Sequence, residues 1–383
     1  MNILVTGANG FVGKNLVWAL QNIADGKRKS RYLSENITVF SYDIDTPEEK
    51  LCEYCSKCDF VYHLAGVNRP EKEEDFMKGN FGFTSVLLDT LKKYNNKAPI
   101  VVTSSIQAAL DNPYGRSKKA GENLLFEYAK ETQAKVMIYR LPNLFGKWCR
   151  PNYNSVIATF CHNIANDLEI TVNDREYVLT LAYIDDVVEE FLKAAAGKES
   201  YDDTHTFCDV TVKHKASLGE IADLLYEFKE SRNNRYIPDM PEGSFEKKLY
   251  STYLSYLRID DFLYPLKMNC DERGSFTEMF KSKTNGQVSV NISKPGIVKG
   301  NHWHDTKNEK FVVVSGKGVI RFKKAGEEEI VEYYVSGDKI EVVDIPVGYT
   351  HNIENLGDED MVTIMWCNEC FDPDKPDTYF LEV

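Results

Sequence analysis

The sequence predicts two domains of different class, an α/β domain with a doubly wound parallel sheet followed by an all-β barrel. The chain has 383 residues, more than a single hydrophobic core usually supports. Short apolar runs alternate with amphipathic stretches in the first half, whereas from about Val288 the chain is rich in Val, Ile and Tyr, with Gly, Pro and Asn between the runs. We therefore expect the α/β domain over residues 1–245, a helical connection over 246–265 and the barrel over 266–383.

Five apolar runs of the first half predict the strands of the parallel sheet. These runs are residues 3–5, 39–42, 60–65, 100–103 and 136–139. Stretches with helical periodicity separate them, which is typical of strands that helices cover on both faces. A further apolar stretch, residues 249–264, also has a helical pattern.

Composition and charge limit the classes of partner. Hydrophobic residues make up 43% and charged residues 27% of the chain, the balance of an ordinary globular protein. No apolar run approaches the roughly 20 residues that span a bilayer. The net charge of -13 would repel nucleic acid and anionic lipid, so we expect small-molecule ligands and neither a nucleic acid nor a membrane as partner. Because Met1 leads into an apolar run without the basic region of a secretory signal, we expect a cytoplasmic location.

Nine cysteines, an odd number without regular spacing, indicate reduced thiols rather than a disulfide framework. Cys52, Cys55 and Cys58 are nevertheless spaced like part of a metal site. No fourth ligand lies near them, and the stretch has the pattern of a short helix. Two interpretations remain, a chance spacing of thiols on a helix and a redox or iron–sulfur role.

A glycine-rich turn lies between the first predicted strand and a helical stretch. Gly7 permits a tight turn, Gly10 lets the main chain approach a pyrophosphate, and Gly13 allows close packing of helix on strand. The free N–H groups of the helix N-terminus, around Phe11 and Val12, then face the anion. The pattern therefore predicts a dinucleotide site.

Asp43 follows the second predicted strand. An acidic residue there can bind the ribose 2′-hydroxyl of NADH and repel the 2′-phosphate of NADPH. It comes later than usual after the glycine turn, and the polar stretch 27–36 explains the delay as a surface loop. The alternative is that Asp43 is an ordinary turn residue.

A serine, a tyrosine and a lysine follow in an order that suits carbonyl reduction. Ser104 and Ser105 come at the end of the fourth predicted strand, and Tyr114 and Lys118 lie four residues apart on one face of a predicted helix. An ammonium beside a phenol lowers the pKa of the phenol, so that the tyrosine can exchange a proton with a carbonyl oxygen. A serine hydroxyl can hold that oxygen. Ser105 is the first candidate and Ser104 remains an alternative.

These residues resemble the extended short-chain dehydrogenase/reductase family over residues 1–235. Two further segments carry the resemblance, residues 63–66 (His-Leu-Ala-Gly) and 140–146 (Arg-Leu-Pro-Asn-Leu-Phe-Gly). It implies a Rossmann-type fold and a nicotinamide cofactor. It also implies cofactor contacts from Leu64, Ala65 and Gly66.

The resemblance further implies catalytic roles. Ser105 would bind the carbonyl and Tyr114 would act as the acid, while Lys118 would tune the tyrosine and bind the ribose. Residues 183–187 match a segment that shapes the sugar-nucleotide pocket in the family. Only eight residues separate Ser105 from Tyr114, where most members carry a longer insertion, so part of the usual substrate lid is missing.

Three histidines and a carboxylate in the second half suit a metal site. His302 and His304 point to the same side of a predicted strand, and Glu309 and His351 follow on later segments that glycine and proline turns bring back. Imidazole and carboxylate ligands suit zinc, iron, manganese, nickel or copper, so the ligand types alone do not choose the metal.

The same four residues resemble both motifs of the cupin superfamily, which implies a zinc-binding cupin barrel. Just upstream, residues 271–278 resemble a segment of the cupin-fold epimerases that act on keto-deoxysugar nucleotides, in which an Arg and a Glu hold substrate. Those epimerases commonly lack a metal and use a histidine at the position of His302 as base. A metal on His302 would put that transferred role in doubt.

Three further segments are residues 65–70 (Ala-Gly-Val-Asn-Arg-Pro), 112–115 (Asn-Pro-Tyr-Gly) and 300–304 (Gly-Asn-His-Trp-His). With the order of the two domains, they resemble a family of bifunctional capsule-precursor enzymes over nearly the whole chain. That resemblance implies a UDP-linked 4-keto-6-deoxy-hexosamine as substrate, C3 epimerisation by the cupin domain, and reduction of the C4 ketone with NADPH. The implied product is UDP-N-acetyl-6-deoxy-L-talosamine, on the route to UDP-N-acetyl-L-fucosamine, and the expected assembly is a homodimer. NADH remains an alternative because of Asp43.

Two other functions compete. The first is an NAD-dependent 4-epimerase or 4,6-dehydratase with a structural cupin, which is disfavoured because Ser105-Ile106-Gln107 lacks the extra carboxylates that dehydratases need. The second is a regulator that senses sugar nucleotides and redox state, against which Tyr114 and Lys118 count.

Overall fold

The computed structural model describes residues 1–383 and divides them into two compact units. The first unit comprises residues 1–226 with 241–258, and the second comprises residues 227–240 with 259–383. The domain boundaries expected from the sequence, 1–245, 246–265 and 266–383, stay a prediction.

Eight strands and nine helices precede the barrel. The strands are β1 (Asn2–Thr6), β2 (Thr38–Tyr42), β3 (Phe60–His63), β4 (Ile100–Ser105), β5 (Val136–Leu141), β6 (Asn143–Phe145), β7 (Val178–Tyr183) and β8 (His214–Ser217). The helices are α1 (Phe11–Ala24), α2 (Glu48–Lys57), α3 (Glu74–Met77), α4 (Phe83–Lys93), α5 (Pro113–Thr132), α6 (Val156–Ala165), α7 (Ile184–Ala195), α8 (Leu218–Asn234) and α9 (Phe245–Leu254). None of these helices has the length and apolar character required to cross a membrane.

The main sheet of the first unit is parallel and has the order β2-β1-β3-β4-β5. Helices cover both faces, because Ile3 packs with residues of α1 and α7 in one core cluster and Leu4 packs with residues of α2, α4 and α5 in the other. This alternation within one fully apolar strand confirms the predicted doubly wound sheet. A smaller sheet, β6-β7-β8, completes the unit.

Two of the three closely spaced cysteines are buried. Cys55 of α2 and Cys58, at the C-terminal cap of this helix, lie in the core. Burial is the largest cause that raises the pKa of the two thiols, to about 12 and about 11. They therefore pack as protonated thiols.

The helix predicted for residues 249–264 is only partly correct, since α9 stops at Leu254. The exposed Leu263 beyond it offers no packing that could extend a helix.

The second unit is an all-β barrel of two antiparallel sheets. Its strands are β9 (Asn269–Asp271), β10 (Gly274–Ser282), β11 (Gly286–Ser293), β12 (Val298–Trp303), β13 (Glu309–Ser315), β14 (Lys317–Lys324), β15 (Ile330–Ser336), β16 (Val342–Ile345), β17 (Tyr349–Asn355), β18 (Met361–Cys367) and β19 (Tyr379–Phe380). The sheet orders are β16-β13-β18-β11-β10-β9 and β15-β14-β17-β12-β19. Phe311, Ile320 and Ile353 belong to the core between them. This confirms the predicted fold class of the second half.

Candidate active site and metal centre

The first site lies where the order of the parallel strands reverses. The chain leaves β1 toward β2 on one side and returns to β3 on the other, so a crevice opens at the carboxyl ends of β1 and β3. Gly7 has φ +69°, and a Cβ there would stand 2.6 Å from the main-chain nitrogen of Ala65. A Cβ on Gly13 would stand 2.0 Å from the carbonyl oxygen of Gly7. Only glycine fits at these two positions.

The N-terminus of α1 faces this crevice with open donors. Gly10 caps the helix without a side chain, so the N–H groups of the first turn have no partner within the helix. They can therefore bind an anion.

A cavity of about 590 Å³ extends from this turn across the carboxyl ends of the strands. It brings together eleven of the residues that the sequence assigned to the cofactor or to catalysis. These are Gly7, Gly10, Phe11, Val12, Gly13, Leu64, Gly66, Ser104, Ser105, Tyr114 and Lys118. Ala65 lies behind Gly7 and Asp43 lies outside the lining.

Asp43 follows β2, as the sequence predicted, and anchors the glycine turn. Its Oδ2 accepts a 2.7 Å hydrogen bond from the N–H of Asn9, and its Oδ1 accepts a 2.8 Å bond from the N–H of Ile44. Both carboxylate oxygens are therefore engaged by the main chain.

The start of α5 positions the tyrosine and the lysine. The Asn112 side chain accepts a 2.8 Å bond from the N–H of Gly115, and Pro113 occupies the first turn, where its missing N–H costs nothing. Tyr114 and Lys118 then lie one turn apart, with the ammonium 5.9 Å from the centre of the phenol ring. Lys118 Nζ donates a 3.3 Å hydrogen bond to the carbonyl of Thr103.

The two candidate serines differ in their partners. The hydroxyl of Ser104 donates a 2.7 Å hydrogen bond to Glu122, which also forms a two-pronged ion pair with Arg140. The hydroxyl of Ser105 accepts a bond from the N–H of Gln107, and Ser105 lies near enough to the Tyr114 side chain to oppose the rise in the pKa of its phenol. The contacts therefore favour Ser105 as the residue that acts with the tyrosine.

Burial controls the protonation of the pair. It raises the pKa of Tyr114 although Ser105 opposes this shift, so the lowered pKa that the sequence predicted is wrong. The physical reason is that removal of the phenolate from water outweighs its polar contacts. Burial also lowers the pKa of Lys118 to about 8, although the charge of Glu122 opposes this shift.

Two buried polar residues, Asn80 and His63, support the site, and the sequence assigned neither of them a role. The Asn80 side chain bonds both the N–H and the carbonyl of Val67 and donates to the Ser117 hydroxyl, which ties the loop after β3 to α5. His63 lies between Thr6 and Thr84, 2.8 Å from each hydroxyl. Burial and the charge of Lys118 lower the pKa of His63 to about 3, so this imidazole stays neutral.

The second site lies inside the barrel. A bulge in β12, with Gly300 at φ +106° and Asn301 at φ +58°, puts His302 directly opposite His351 of β17. His304 and Glu309 join them, and one ligand atom from each of the four residues lies within 4.8 Å of the others. This is the group of four that the sequence predicted. Cys52, Cys55 and Cys58 form no such group.

The chemistry of the four side chains fits a metal ion. His351 is 1% exposed, and both of its ring nitrogens lack a hydrogen bond, although Nε2 is 3.3 Å from Glu309 Oε2. Burial is also the largest cause that lowers the pKa of His302, to about 4, so its imidazole is neutral at pH 7. Contacts with His304 and His351 hold the pKa of Glu309 far below its usual range, although burial opposes them. Neutral imidazoles and a carboxylate are the forms that bind transition metals.

The other residues that the sequence assigned to substrate binding each form an ion pair. Arg273 is exposed and pairs with Asp271, whereas Glu278 pairs with Arg235 at 2.8 Å and with Lys281 at 3.1 Å. Asp185, in the segment after β7, pairs with Lys147.

The fold and the first site define a nicotinamide-dependent α/β enzyme with a β-barrel domain, and comparison with known proteins agrees. Residues 3–207 match the NAD dependent epimerase/dehydratase family, and residues 269–379 match the polysaccharide biosynthesis C-terminal domain. The chain therefore belongs to the NAD dependent epimerase/dehydratase family, whose members use a nicotinamide cofactor.

Particular relatives narrow the comparison. The chain is 42% identical, over 100% of its length and 99% of the relative's, to a UDP-2-acetamido-2,6-beta-L-arabino-hexul-4-ose reductase of Pseudomonas aeruginosa. It is 59% identical to the crystal structure of the capsular polysaccharide assembling protein CapF from Staphylococcus aureus, with a TM-score of 0.92 and 100% of both chains covered. These two similarities extend over both halves of the chain.

Proposed function

We propose that this chain is a bifunctional enzyme of capsular or O-antigen polysaccharide synthesis. Its cupin domain epimerises C3 of a UDP-linked 4-keto-6-deoxy-hexosamine, and its reductase domain reduces the C4 ketone. The product is UDP-N-acetyl-6-deoxy-L-talosamine. One observation carries the proposal: Ser105, Tyr114 and Lys118 line the same cavity as the glycine turn. The full-length similarity to a keto-sugar-nucleotide reductase supports the substrate class.

Reduction requires a proton for the carbonyl oxygen and a hydride for C4. Tyr114 gives its phenolic proton to the oxygen while the Ser105 hydroxyl hydrogen-bonds that oxygen. The ammonium of Lys118 stabilises the phenolate that is left. A bound nicotinamide supplies the hydride. The C=O bond thereby becomes a secondary alcohol.

Epimerisation precedes reduction because it needs the ketone. A carbonyl at C4 acidifies the C3 proton, so a base in the barrel can remove it to give an enolate, and protonation on the opposite face inverts C3. Reduction of C4 removes this activation. The order of the two reactions therefore follows from the chemistry of the substrate.

The residues proposed to hold zinc are His302, His304, Glu309 and His351. Burial keeps the imidazole of His302 neutral, which is the form in which histidine binds a metal. Zinc at this position would stabilise negative charge on the ketone oxygen as a Lewis acid, or hold the mouth of the barrel in shape.

NADPH is the proposed reductant. Asp43 has both oxygens engaged by the N–H groups of Asn9 and Ile44, which favours a role in anchoring the glycine turn over the selection of NADH. The resemblance to the bifunctional capsule enzymes points the same way.

We also infer a homodimer. β15 is an edge strand of the barrel, and Ile330, Tyr333 and Tyr334 on it are exposed. Apolar side chains on an edge strand favour association with a second copy. Light scattering in solution measures the mass of the assembly.

We propose a cytoplasmic location. All nine cysteines are free, which supports a reducing compartment.

Deuterium exchange tests the epimerase half. Incubation of the UDP-linked 4-keto-6-deoxy-hexosamine with the protein in D₂O, without NADPH, should place deuterium at C3. Absence of exchange would remove the epimerase from the proposal. Exchange that continues undiminished in chelated, folded protein would exclude the Lewis-acid role and leave the structural one.

A further inference from the structure

The C-terminal segment, residues 377–381, lies at the edge of the sheet beside β12, the strand that carries His302. β19 pairs with β12, with Phe380 opposite His302 and Tyr379 opposite Trp303. The N–H of Leu381 donates a 3.0 Å hydrogen bond to the carbonyl of Asn301, inside the bulge that aims His302.

Asp377 begins this segment and clamps the turn between two ligands. Its carboxylate accepts hydrogen bonds from three successive N–H groups, Asp305 at 2.8 Å, Thr306 at 2.7 Å and Lys307 at 2.8 Å. The hydroxyl of Thr306 donates a fourth bond of 3.1 Å. This turn joins His304, after β12, to Glu309, the first residue of β13.

The main chain of Asp377 also contacts a ligand directly. Its carbonyl oxygen lies 2.5 Å from Nδ1 of His304. A carbonyl only accepts, so Nδ1 carries the proton. In the neutral ring the lone pair is then on Nε2, which is 3.4 Å from Glu309 Oε2. The contact therefore fixes the tautomer in which His304 can bind a metal through Nε2.

We propose that Asp377 is a positioning residue of the metal site, and that the C-terminal segment is a part of that site in function. The carboxylate sets the distance between His304 and Glu309 through the turn, and the carbonyl sets the orientation of the His304 ring. This inference rests on the proposed zinc site. Because linkage is reciprocal, zinc binding must in turn stabilise the C-terminal segment.

Zinc affinity of the full chain tests the proposal, with Zn²⁺ as the probe and a chromogenic chelator as competitor. Asp377→Ala should weaken Zn²⁺ binding about 10- to 100-fold, the range typical of residues that orient metal ligands. Asp377→Asn, which keeps one acceptor oxygen, should weaken it less and serves if the alanine variant does not fold. Asp374→Ala, an exposed carboxylate in the same C-terminal stretch, is the matched control and should bind like the wild type.

Two further measurements separate positioning from general support of the fold. Zn²⁺ should raise the unfolding temperature of Asp377→Asn less than that of the wild type. If Asp377 only supports the fold, the substitution should instead lower the unfolding temperatures of the metal-free and the Zn²⁺-loaded protein by the same amount. Carboxypeptidase should trim the metal-free wild type faster than the Zn²⁺-loaded protein. A wild type that binds no Zn²⁺ would overturn the metal site itself. A wild type that binds, beside Asp377 variants of equal affinity, would overturn this inference alone.

Discussion

The hydroxyl of Ser104 donates a 2.7 Å hydrogen bond to Oε1 of Glu122, in the interior of the first unit. Its neighbour Ser105 instead lines the cavity beside Tyr114 and opposes the rise in the pKa of that phenol. Because Ser104 is engaged by Glu122 and Ser105 is not, we expect Ser105 to act in the proposed reaction and Ser104 to support the fold.

Replacement of Ser105 should therefore lower activity, whereas replacement of Ser104 should lower stability. Ser105→Ala should lower kcat for ketone reduction about 100- to 1,000-fold, the usual cost of one lost donor to a developing oxyanion. Ser104→Ala should keep most activity and lose about 1.5 to 3 kcal/mol of unfolding free energy, since it removes a hydrogen bond to a charged group. Steady-state kinetics and denaturant unfolding measure the two effects. A Ser104→Ala variant that is as stable as the wild type but inactive would mean that Ser104, and not Ser105, holds the carbonyl oxygen.

Tyr114→Phe should separate the two reactions. Loss of the acid should reduce ketone reduction about 100- to 10,000-fold. Deuterium exchange at C3 should continue, because the barrel residues are unchanged. Normal NADPH oxidation by this variant would mean that another group supplies the proton.

The pH dependence of reduction should report Lys118. Its pKa is lowered to about 8, mainly by burial, so the ammonium is charged below that pH and loses its proton as the pH rises through it. Tyr114 has a raised pKa and keeps its proton over this range, so the alkaline limb belongs to the lysine. We expect kcat/KM, which reports the free enzyme, to fall above about pH 8. A profile that stays level to pH 10 would contradict the role of Lys118.

Asp43→Asn tests the choice of cofactor. If Asp43 anchors the glycine turn, kcat/KM with NADPH and with NADH should fall together, and their ratio should change by less than about tenfold, or 1.4 kcal/mol. A selective gain with NADPH would show instead that the carboxylate repels the 2′-phosphate. Parallel initial-rate measurements with both cofactors decide between these roles.

Much of the fold could be predicted because each feature has a local cause. Buried parallel strands are apolar throughout, as in residues 3–5, so they are visible as runs. Gly7 and Gly13 mark places where a Cβ would collide with the main chain, and such positions accept few other residues. The group proposed to hold a metal could be predicted because His302, His304 and Glu309 are close in sequence.

The rest depends on contacts between distant residues. Asp377 lies 70 residues beyond the nearest N–H that it clamps, and nothing near it in the sequence indicates that partner. The direction of the Tyr114 pKa shift was missed because burial depends on how α5 packs, whereas residue spacing reports only the neighbouring lysine. The end of α9 was missed because the exposure of Leu263 is likewise a tertiary property.

The most direct measurement is NMR of the product after incubation of the protein with the UDP-linked 4-keto-6-deoxy-hexosamine and NADPH. We predict a sugar nucleotide with inverted configuration at C3 and a hydroxyl in place of the C4 ketone, formed with one equivalent of NADPH oxidised. Recovery of the unchanged keto-sugar, or reduction at C4 with the original C3 configuration, would contradict the coupling of the two domains in one pathway.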